Sequence, residues 1–599
     1  MKEPYFSRVN SLRKLMEEAS IDAYMIVTDD FHASEYVSEY FCCRAYISGF
    51  DGSAGTLIVT AKEACLWTDG RYFIQARDQL EGTGITLMKM GEPGVPRITE
   101  WLKEKLADGN CLGYDGRTIN AGMADAIKQT LRGKNIRFAE EQDLVDRIWP
   151  DRPAFPHAPI WFLDERYSGK ASSEKLADLR AELKKAGADW HLLASLDDIA
   201  WLYNYRGDDV EHNPVAMAYT LVSADHAILY IAPDAVPESE QKRLAADGVT
   251  LRPYLQVYED LKVLSGKLLL DKNTVNVALL AVLPAAVELL NRANPTTLPK
   301  AVKNAVEMEN ERLAHVKDGV SMTKLIFWLK HLRDSEDFKA GRITELTVSR
   351  KLLEIRRSLP DFLQESFPSI MATGAHGAIV HYEPTEETDV PLADNNYLLM
   401  DTGSHFLQGS TDITRTTSIG SVTEEMKLHY TAVLRGHLDL GMAYFRDGVT
   451  GDNLDYLARN PLWELGLDFN HGTGHGVGYL LNVHEGPQNI SLRSRGGACK
   501  FREGMLTSDE PGLYLEGRYG IRIENLTLTV PAAETEYGRF LRFEHVTMVP
   551  YDRASILPEL LTERERKALN EYHAKVYETL LPWLTEEEAA WLKEETAEI

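Results

Sequence analysis

Two tandem α/β domains followed by a larger α+β domain are predicted for this chain of 599 residues, on three observations. Two segments repeat each other at an offset of 167 residues, so that Leu12, Arg13, Ala19 and Asp22 recur as Leu179, Arg180, Ala186 and Asp189. Proline-rich breaks at 150–159 and 294–299 divide the chain. The part after the second break carries four carboxylates and one histidine in short, rigid contexts: Asp401, Asp412, His475, Glu510 and Glu524.

In the first repeat, the run from Leu12 to Ala19 reads as an amphipathic helix. Tyr24-Met25-Ile26-Val27 then forms a short apolar strand, with turn chemistry at Asp29-Asp30. The second repeat has the same order, with Trp190-His191-Leu192-Leu193 as the strand and Asp197-Asp198 after it. A period this long does not suit a solenoid. It suits two similar α/β domains, over 1–150 and 160–300. Four prolines within 150–159 suit an extended linker between them. A third domain is expected over 302–599. It begins with a long helix that puts Leu325, Trp328, Leu329 and Leu332 on one face. The acidic stretch 561–599 reads as a helical extension with Leu580, Leu581, Trp583 and Leu584 as apolar anchors.

Composition sets bounds. Apolar content of 44% and charged content of 26% are those of an ordinary globular protein. The formal charge of −26, from 91 acids against 65 bases, argues against nucleic-acid and anionic-membrane partners, because phosphate binding needs concentrated Lys and Arg. Five cysteines with no CxxC argue against a disulfide framework and for a reducing cytoplasm. The start Met1-Lys2-Glu3-Pro4-Tyr5 lacks the charged-then-apolar order of a secretion signal. The apolar stretch 277–290 is interrupted and too short to span a bilayer.

The five residues point to chemistry when read together. Asp401 ends Tyr397-Leu398-Leu399-Met400, and Asp412 lies in Ser410-Thr411-Asp412-Ile413-Thr414-Arg415. His475 lies in His471-Gly472-Thr473-Gly474-His475-Gly476-Val477-Gly478, and Glu510 precedes Pro511-Gly512. Glu524 closes Tyr519-Gly520-Ile521-Arg522-Ile523-Glu524. Any one of these acids alone reads as a turn or surface residue. Four carboxylates converging with one imidazole suit two divalent cations, which lower the pKa of a water and clamp the oxygens of a tetrahedral species. The oxygen-rich set favours Mn²⁺, and the imidazole also admits Zn²⁺ or Co²⁺. Strand alternation puts Arg522 and Glu524 on one face and Tyr519, Ile521 and Ile523 on the other, toward a core. The glycine run fits no phosphate-binding pattern, and neither GxSxG nor HExxH occurs.

In this order, Asp401, Asp412, His475, Glu510 and Glu524 resemble the metal site of the pita-bread metallopeptidases. Met400-Asp401-Thr402-Gly403, Thr411-Asp412-Ile413-Thr414-Arg415, Val483-His484-Glu485-Gly486-Pro487 and Ile521-Arg522-Ile523-Glu524-Asn525 most resemble aminopeptidase P. The likeness extends to Tyr46-Ile47-Ser48-Gly49-Phe50, Trp67-Thr68-Asp69-Gly70-Arg71-Tyr72 and Lys300-Ala301-Val302-Lys303-Asn304, and it matches the long, three-domain form. It implies two creatinase-like N-terminal domains and a pita-bread catalytic domain with a C-terminal extension.

The resemblance also implies roles. Asp401 would chelate one ion, Asp412 and Glu524 would bridge both, and His475 and Glu510 would complete the second. Glu510 would also accept a proton beside the attacking water. His381 and His484 would polarise the scissile carbonyl and stabilise the oxyanion, and His471 would line the proline side. Arg522 stands either as a substrate-orienting residue or as a salt-bridge partner of a ligand. The implied reaction removes the N-terminal residue from short Xaa-Pro-Xaa peptides, in a cytoplasmic homodimer with two divalent ions per chain. Two readings compete with it. A prolidase would hydrolyse only Xaa-Pro dipeptides and has one N-terminal domain. A metal-free binding module on the same fold would not need all five ligands.

Overall fold

A computed structural model describes residues 2–492 and 498–599. The chain divides into two units, Met1–Glu165 with Lys170–Thr297, and Arg166–Gly169 with Leu298–Ile599.

The first unit holds two six-stranded mixed sheets of the same topology. In one, Ala23–Val27 is flanked by antiparallel Thr56–Thr60 and parallel Cys111–Gly113. In the other, Trp190–Leu193 is flanked by antiparallel Tyr219–Ser223 and parallel Lys267–Leu270. The repeat seen in the sequence is therefore a repeat of fold. The two central strands start 167 residues apart, and each follows a helix, Glu3–Glu18 or Ser172–Ala186. The first helix buries Val9, Leu12 and Met16 and the second buries Leu176, Leu179 and Leu183, each set on one stripe. The proline-rich segment 149–160 forms neither helix nor strand. Its prolines lack the N–H that a ladder needs.

The second unit opens with the helix Ala305–Leu332. Asn304 caps it by accepting from the Val306 and Glu307 N–H groups, and the Glu307 carboxylate accepts from the Asn304 N–H in return. Leu325 and Leu329 are buried, while Trp328 and Leu332 lie at the edge of the same cluster. Asn396–Thr402 is the centre of a three-stranded antiparallel sheet between Ile370–Thr373 and Ile413–Ile419. Leu506–Asp509 pairs with Asn525–Thr535 in a four-stranded sheet, and Gly512–Leu515 forms a hairpin with Tyr519–Arg522. Among the described residues no helix is long and apolar enough to cross a membrane.

The C-terminal stretch is helical, as Glu563–Leu580 and Glu586–Glu595, but two of its expected anchors are corrected. Leu580 is buried, whereas Leu581 is 42% and Trp583 38% exposed. Pro582 sits in the short turn Leu581–Trp583 that ends the helix, so these side chains leave the packed stripe. Leu569, Tyr572, Val576 and Leu592 anchor the extension alongside Leu580.

Arg356, on the helix Glu345–Arg357, pairs with Asp318 on the helix Ala305–Leu332, with Nε–Oδ1 at 2.9 Å and Nη2–Oδ2 at 3.0 Å and both side chains fully buried. Arg356 also donates to Thr402 Oγ1 at 2.6 Å, one residue beyond Asp401. Replacing Arg356 with Met leaves the Asp318 carboxylate buried without its cation. The expected loss is about 3–5 kcal/mol, read as a lowered urea midpoint for the second unit.

Candidate metal centre

Each expected ligand is delivered by a different piece of backbone. Asp401 lies in Asn396–Thr402 opposite Thr414, and Asp412 immediately precedes Ile413–Ile419. His475 lies on a two-residue strand paired with Asn489–Ile490. Glu510 follows Leu506–Asp509 and is tied by its N–H to Thr473 O at 2.8 Å. Glu524 joins two strands, and its N–H donates to Thr414 O at 3.1 Å. The glycines around His475 let two backbones approach, since a Cβ at Gly474 would stand 2.0 Å from Ser508 O. That close contact brings His475 beside the strand leading to Glu510.

These elements converge. Asp412, His475 and Glu524 each offer one ligand atom within 4.8 Å of the others. His475 Nε2 lies 3.5 Å from Asp412 Oδ2 and 3.4 Å from Glu510 Oε1. Glu524 Oε2 accepts from Thr414 Oγ1 at 2.7 Å. Asp401 acts electrostatically on Asp412, Glu510 and Glu524, and it meets Arg522 Nη2 at 2.5 Å. Burial, then the neighbouring carboxylates Asp401 and Glu510, hold the Asp412 carboxyl well above its ordinary range. Burial likewise pushes Glu510 up to about 7, and burial with Asp412 beside it raises Glu524 strongly.

The donor set fits divalent cations. His475 Nδ1 faces Gly476 O at 3.0 Å and so carries the proton. The bare Nε2 is thereby turned into the carboxylates, the orientation a metal-ligating imidazole requires. Asp401 Oδ1 and Glu524 Oε1 are buried and receive no hydrogen bond. Buried acceptors left in this way call for a cation.

The alternation read across residues 519–524 holds. Tyr519, Ile521 and Ile523 are buried in the core, while Arg522 and Glu524 face the acidic pocket. Arg522 is 1% exposed. Besides Asp401 it donates to Tyr514 Oη at 2.7 Å and to Val380 O at 3.3 Å, next to His381. The salt bridge to Asp401 matches one of the two roles open to Arg522, that of partner to an expected ligand. His381 and His484 are half-buried. The His484 ring stands perpendicular to that of His475, with centroids 4.5 Å apart. His471 Nε2 pairs with Tyr514 Oη at 2.7 Å.

Tyr514 was missed in the sequence, and it joins His471 to Arg522 and thence to Asp401. Its signal lies in the short strand Gly512–Leu515, where a period of two puts Gly512 and Tyr514 on one face. Arg415 was also passed over. It is fully buried and donates to Glu524 O at 2.6 Å and to Tyr572 Oη at 3.0 Å, so the C-terminal helix helps hold Glu524.

Comparison with known proteins follows the same division of the chain. Residues 8–148 and 151–307 each match the family described as Creatinase/Prolidase N-terminal domain. Residues 309–531 match metallopeptidase family M24, and 539–599 match the C-terminal region of peptidase M24. Over 602 residues the chain is 37% identical to Xaa-Pro aminopeptidase 1 of Dictyostelium discoideum, covering 98% of this chain and 95% of that one. The chain belongs to the aminopeptidase P family of M24 metallopeptidases. It is also 39% identical to aminopeptidase P2 of Arabidopsis thaliana, covering 96% of this chain and 86% of that protein. Among solved structures, X-prolyl aminopeptidase from Caenorhabditis elegans, described as a cytosolic enzyme with a di-nuclear active site, matches at a TM-score of 0.94 and 33% identity over 100% of both chains. The Xaa-Pro dipeptidase from Bacillus anthracis shares the fold only, at a TM-score of 0.51 and 23% identity over 64% of this chain. The aminopeptidase P architecture of two creatinase-type domains before a pita-bread domain is thus the architecture of this chain.

The raised carboxyls give the metal-free protein a pH dependence of definite sign. Their contribution to stability is complete below the ordinary value of 4.5 for Glu510 and is lost as pH rises through its folded value of about 7. Cations require the ionised form and oppose that loss. The gain in Tm on adding Mn²⁺ to chelated protein is expected to grow steadily over this window, as measured by scanning calorimetry. A gain that stays flat or shrinks with rising pH would count against the site.

Proposed function

We propose that this chain is a dinuclear Xaa-Pro aminopeptidase that releases the N-terminal residue from short peptides with proline at the second position. The observation that carries the reading is the convergence of Asp412, His475 and Glu524, beside Glu510 and Asp401, in a chain matching aminopeptidases P along nearly its whole length. We assign Asp401, Asp412, His475, Glu510 and Glu524 as the ligands, with Mn²⁺ as the preferred ion for this oxygen-rich set. We further propose domains over 1–150, 160–300 and 302–599, and a cytoplasmic homodimer whose partners are peptides rather than nucleic acid or membrane. Sparse cysteines and a relative described as cytosolic support the compartment.

When bound, two divalent cations would supply Lewis acidity and a water acidified enough to attack at neutral pH. The protein's own groups do the rest. Glu510 accepts the proton of the attacking water and returns it to the departing nitrogen. That return matters because the bond before proline is a tertiary amide with no N–H, and its nitrogen leaves only when protonated. His381 and His484 donate hydrogen bonds to the carbonyl oxygen as charge develops there, without adding a competing charge in the ground state. His471, held by Tyr514, lines the proline ring. Arg522 fixes the carboxylate of Asp401.

Substitutions separate these roles. His381→Ala and His484→Ala are each expected to lower kcat by about 10²–10³ with metal content kept. His475→Ala is expected to lower metal occupancy itself. Elemental analysis beside kinetics reads both, and the opposite pattern for His475 and His484 would reverse the assignment.

Specificity tests the reading as a whole. After chelation and restoration with Mn²⁺ or Zn²⁺, Arg-Pro-Pro should be cleaved after its first residue. Arg-Ala-Pro should be slower by roughly 10–200-fold in kcat/KM, the value of lost apolar contact in a ring-sized pocket. Equal rates on the two indicate a general aminopeptidase. Turnover confined to Xaa-Pro dipeptides indicates a prolidase.

A further inference from the structure

The loop that carries His484 is closed by a buried ion cluster whose other half lies where the second unit begins. Glu485 directly follows His484. Its carboxylate meets Lys300 Nζ at 2.6 Å and Lys303 Nζ at 2.9 Å, and the three side chains are 2%, 6% and 0% exposed. The Glu485 N–H donates to Gly476 O at 2.8 Å, and the Gly476 N–H donates to Gln488 O at 3.1 Å. A Cβ at Gly476 would lie 2.1 Å from Glu485 O, so the two backbones lie in direct contact. His475 borders one side of this clasp and His484 the other, which holds their rings together at 4.5 Å.

The lysines are equally fixed. The Lys303 N–H donates to Gly504 O at 2.9 Å, and its Nζ reaches Lys300 O at 3.2 Å. The next residue, Asn304, caps the helix Ala305–Leu332. Burial alone would push the Glu485 carboxyl up, and the two ammonium groups more than reverse this, holding it below its ordinary value. Burying such a cluster yields little stability compared with apolar side chains of the same size. What it does provide is a single, directional placement of the loop.

We propose that Lys300, Lys303 and Glu485 form a positioning clamp for His484, setting its ring where the carbonyl oxygen of the substrate is polarised. The clamp rests on the functional reading above. None of the three residues touches the reacting atoms, and all act through His484.

The test uses the full-length, Mn²⁺-loaded protein and Arg-Pro-Pro. Variants are Glu485→Gln, Lys303→Met, Lys303→Arg, His484→Ala and the double variant Glu485→Gln/His484→Ala. Glu485→Gln is expected to lower kcat about 10²-fold, the loss typical of a catalytic group displaced by about 1 Å, with KM and metal content kept. Lys303→Arg should recover most of the activity lost in Lys303→Met. The double variant should be no slower than His484→Ala, because both changes remove one contribution. Losses that multiply in the double variant, or a lower Tm with kcat intact, would overturn the clamp. Should Lys303→Met not fold, the isosteric Glu485→Gln carries the comparison alone. A wild-type protein inactive with metal restored overturns the functional reading and the clamp with it. An active wild type with an unimpaired Glu485→Gln overturns the clamp alone.

Discussion

Mutual repulsion among buried carboxylates is the constraint around which the second unit is arranged. Asp401, Asp412 and Glu524 are each at most 8% exposed, and Glu510 stands beside them. Desolvation and like charge both oppose ionisation here, and three of the four carboxyls are raised as a result. Such a cluster persists only if the backbone holds it rigidly and positive charge is supplied. Arg522 supplies one fixed charge, against Asp401. Divalent cations are the natural source of the rest.

The frame is rigid because each segment that carries a proposed ligand is tied to another. Asp401 lies in one of two paired strands and Asp412 just before the other, and Glu524 is hydrogen-bonded to the same pair through Thr414. Arg356 braces the strand end beside Asp401, and Arg415 grips the Glu524 carbonyl from behind. The His471–Tyr514–Arg522–Asp401 chain extends this order to the side where substrate is proposed to bind. Its directions are set by acceptors: Nδ1 of His471 faces Gly472 O, so Nε2 receives the Tyr514 hydroxyl, whose oxygen receives Arg522. Preorganisation of this kind keeps polar groups aimed without reorganisation during reaction.

The N-terminal unit shows how a weak repeat in sequence can specify a repeat in fold. Few residues recur at the 167-residue offset, yet the two sheets share strand order and direction. What recurs is the order of an amphipathic helix and an apolar central strand. Those two features choose which surfaces must be buried, and many side chains satisfy that demand.

The sequence by itself determined the tandem α/β organisation and the long helix that opens the third domain, and it singled out the acid and histidine positions that the structure brings together. Period and short rigid contexts are local, so they can be read along the chain. The alternation at 519–524 was legible for the same reason. Tertiary structure alone decided what lies between segments far apart in sequence. It set Arg522 against Asp401, inserted Tyr514 between Arg522 and His471, and set Tyr572 of the C-terminal helix against Arg415. It also turned Leu581 and Trp583 outward, where apolar character alone had suggested burial. Hydrogen bonds across 40 to 160 residues depend on how sheets pack and which backbones can touch, and no local pattern encodes that.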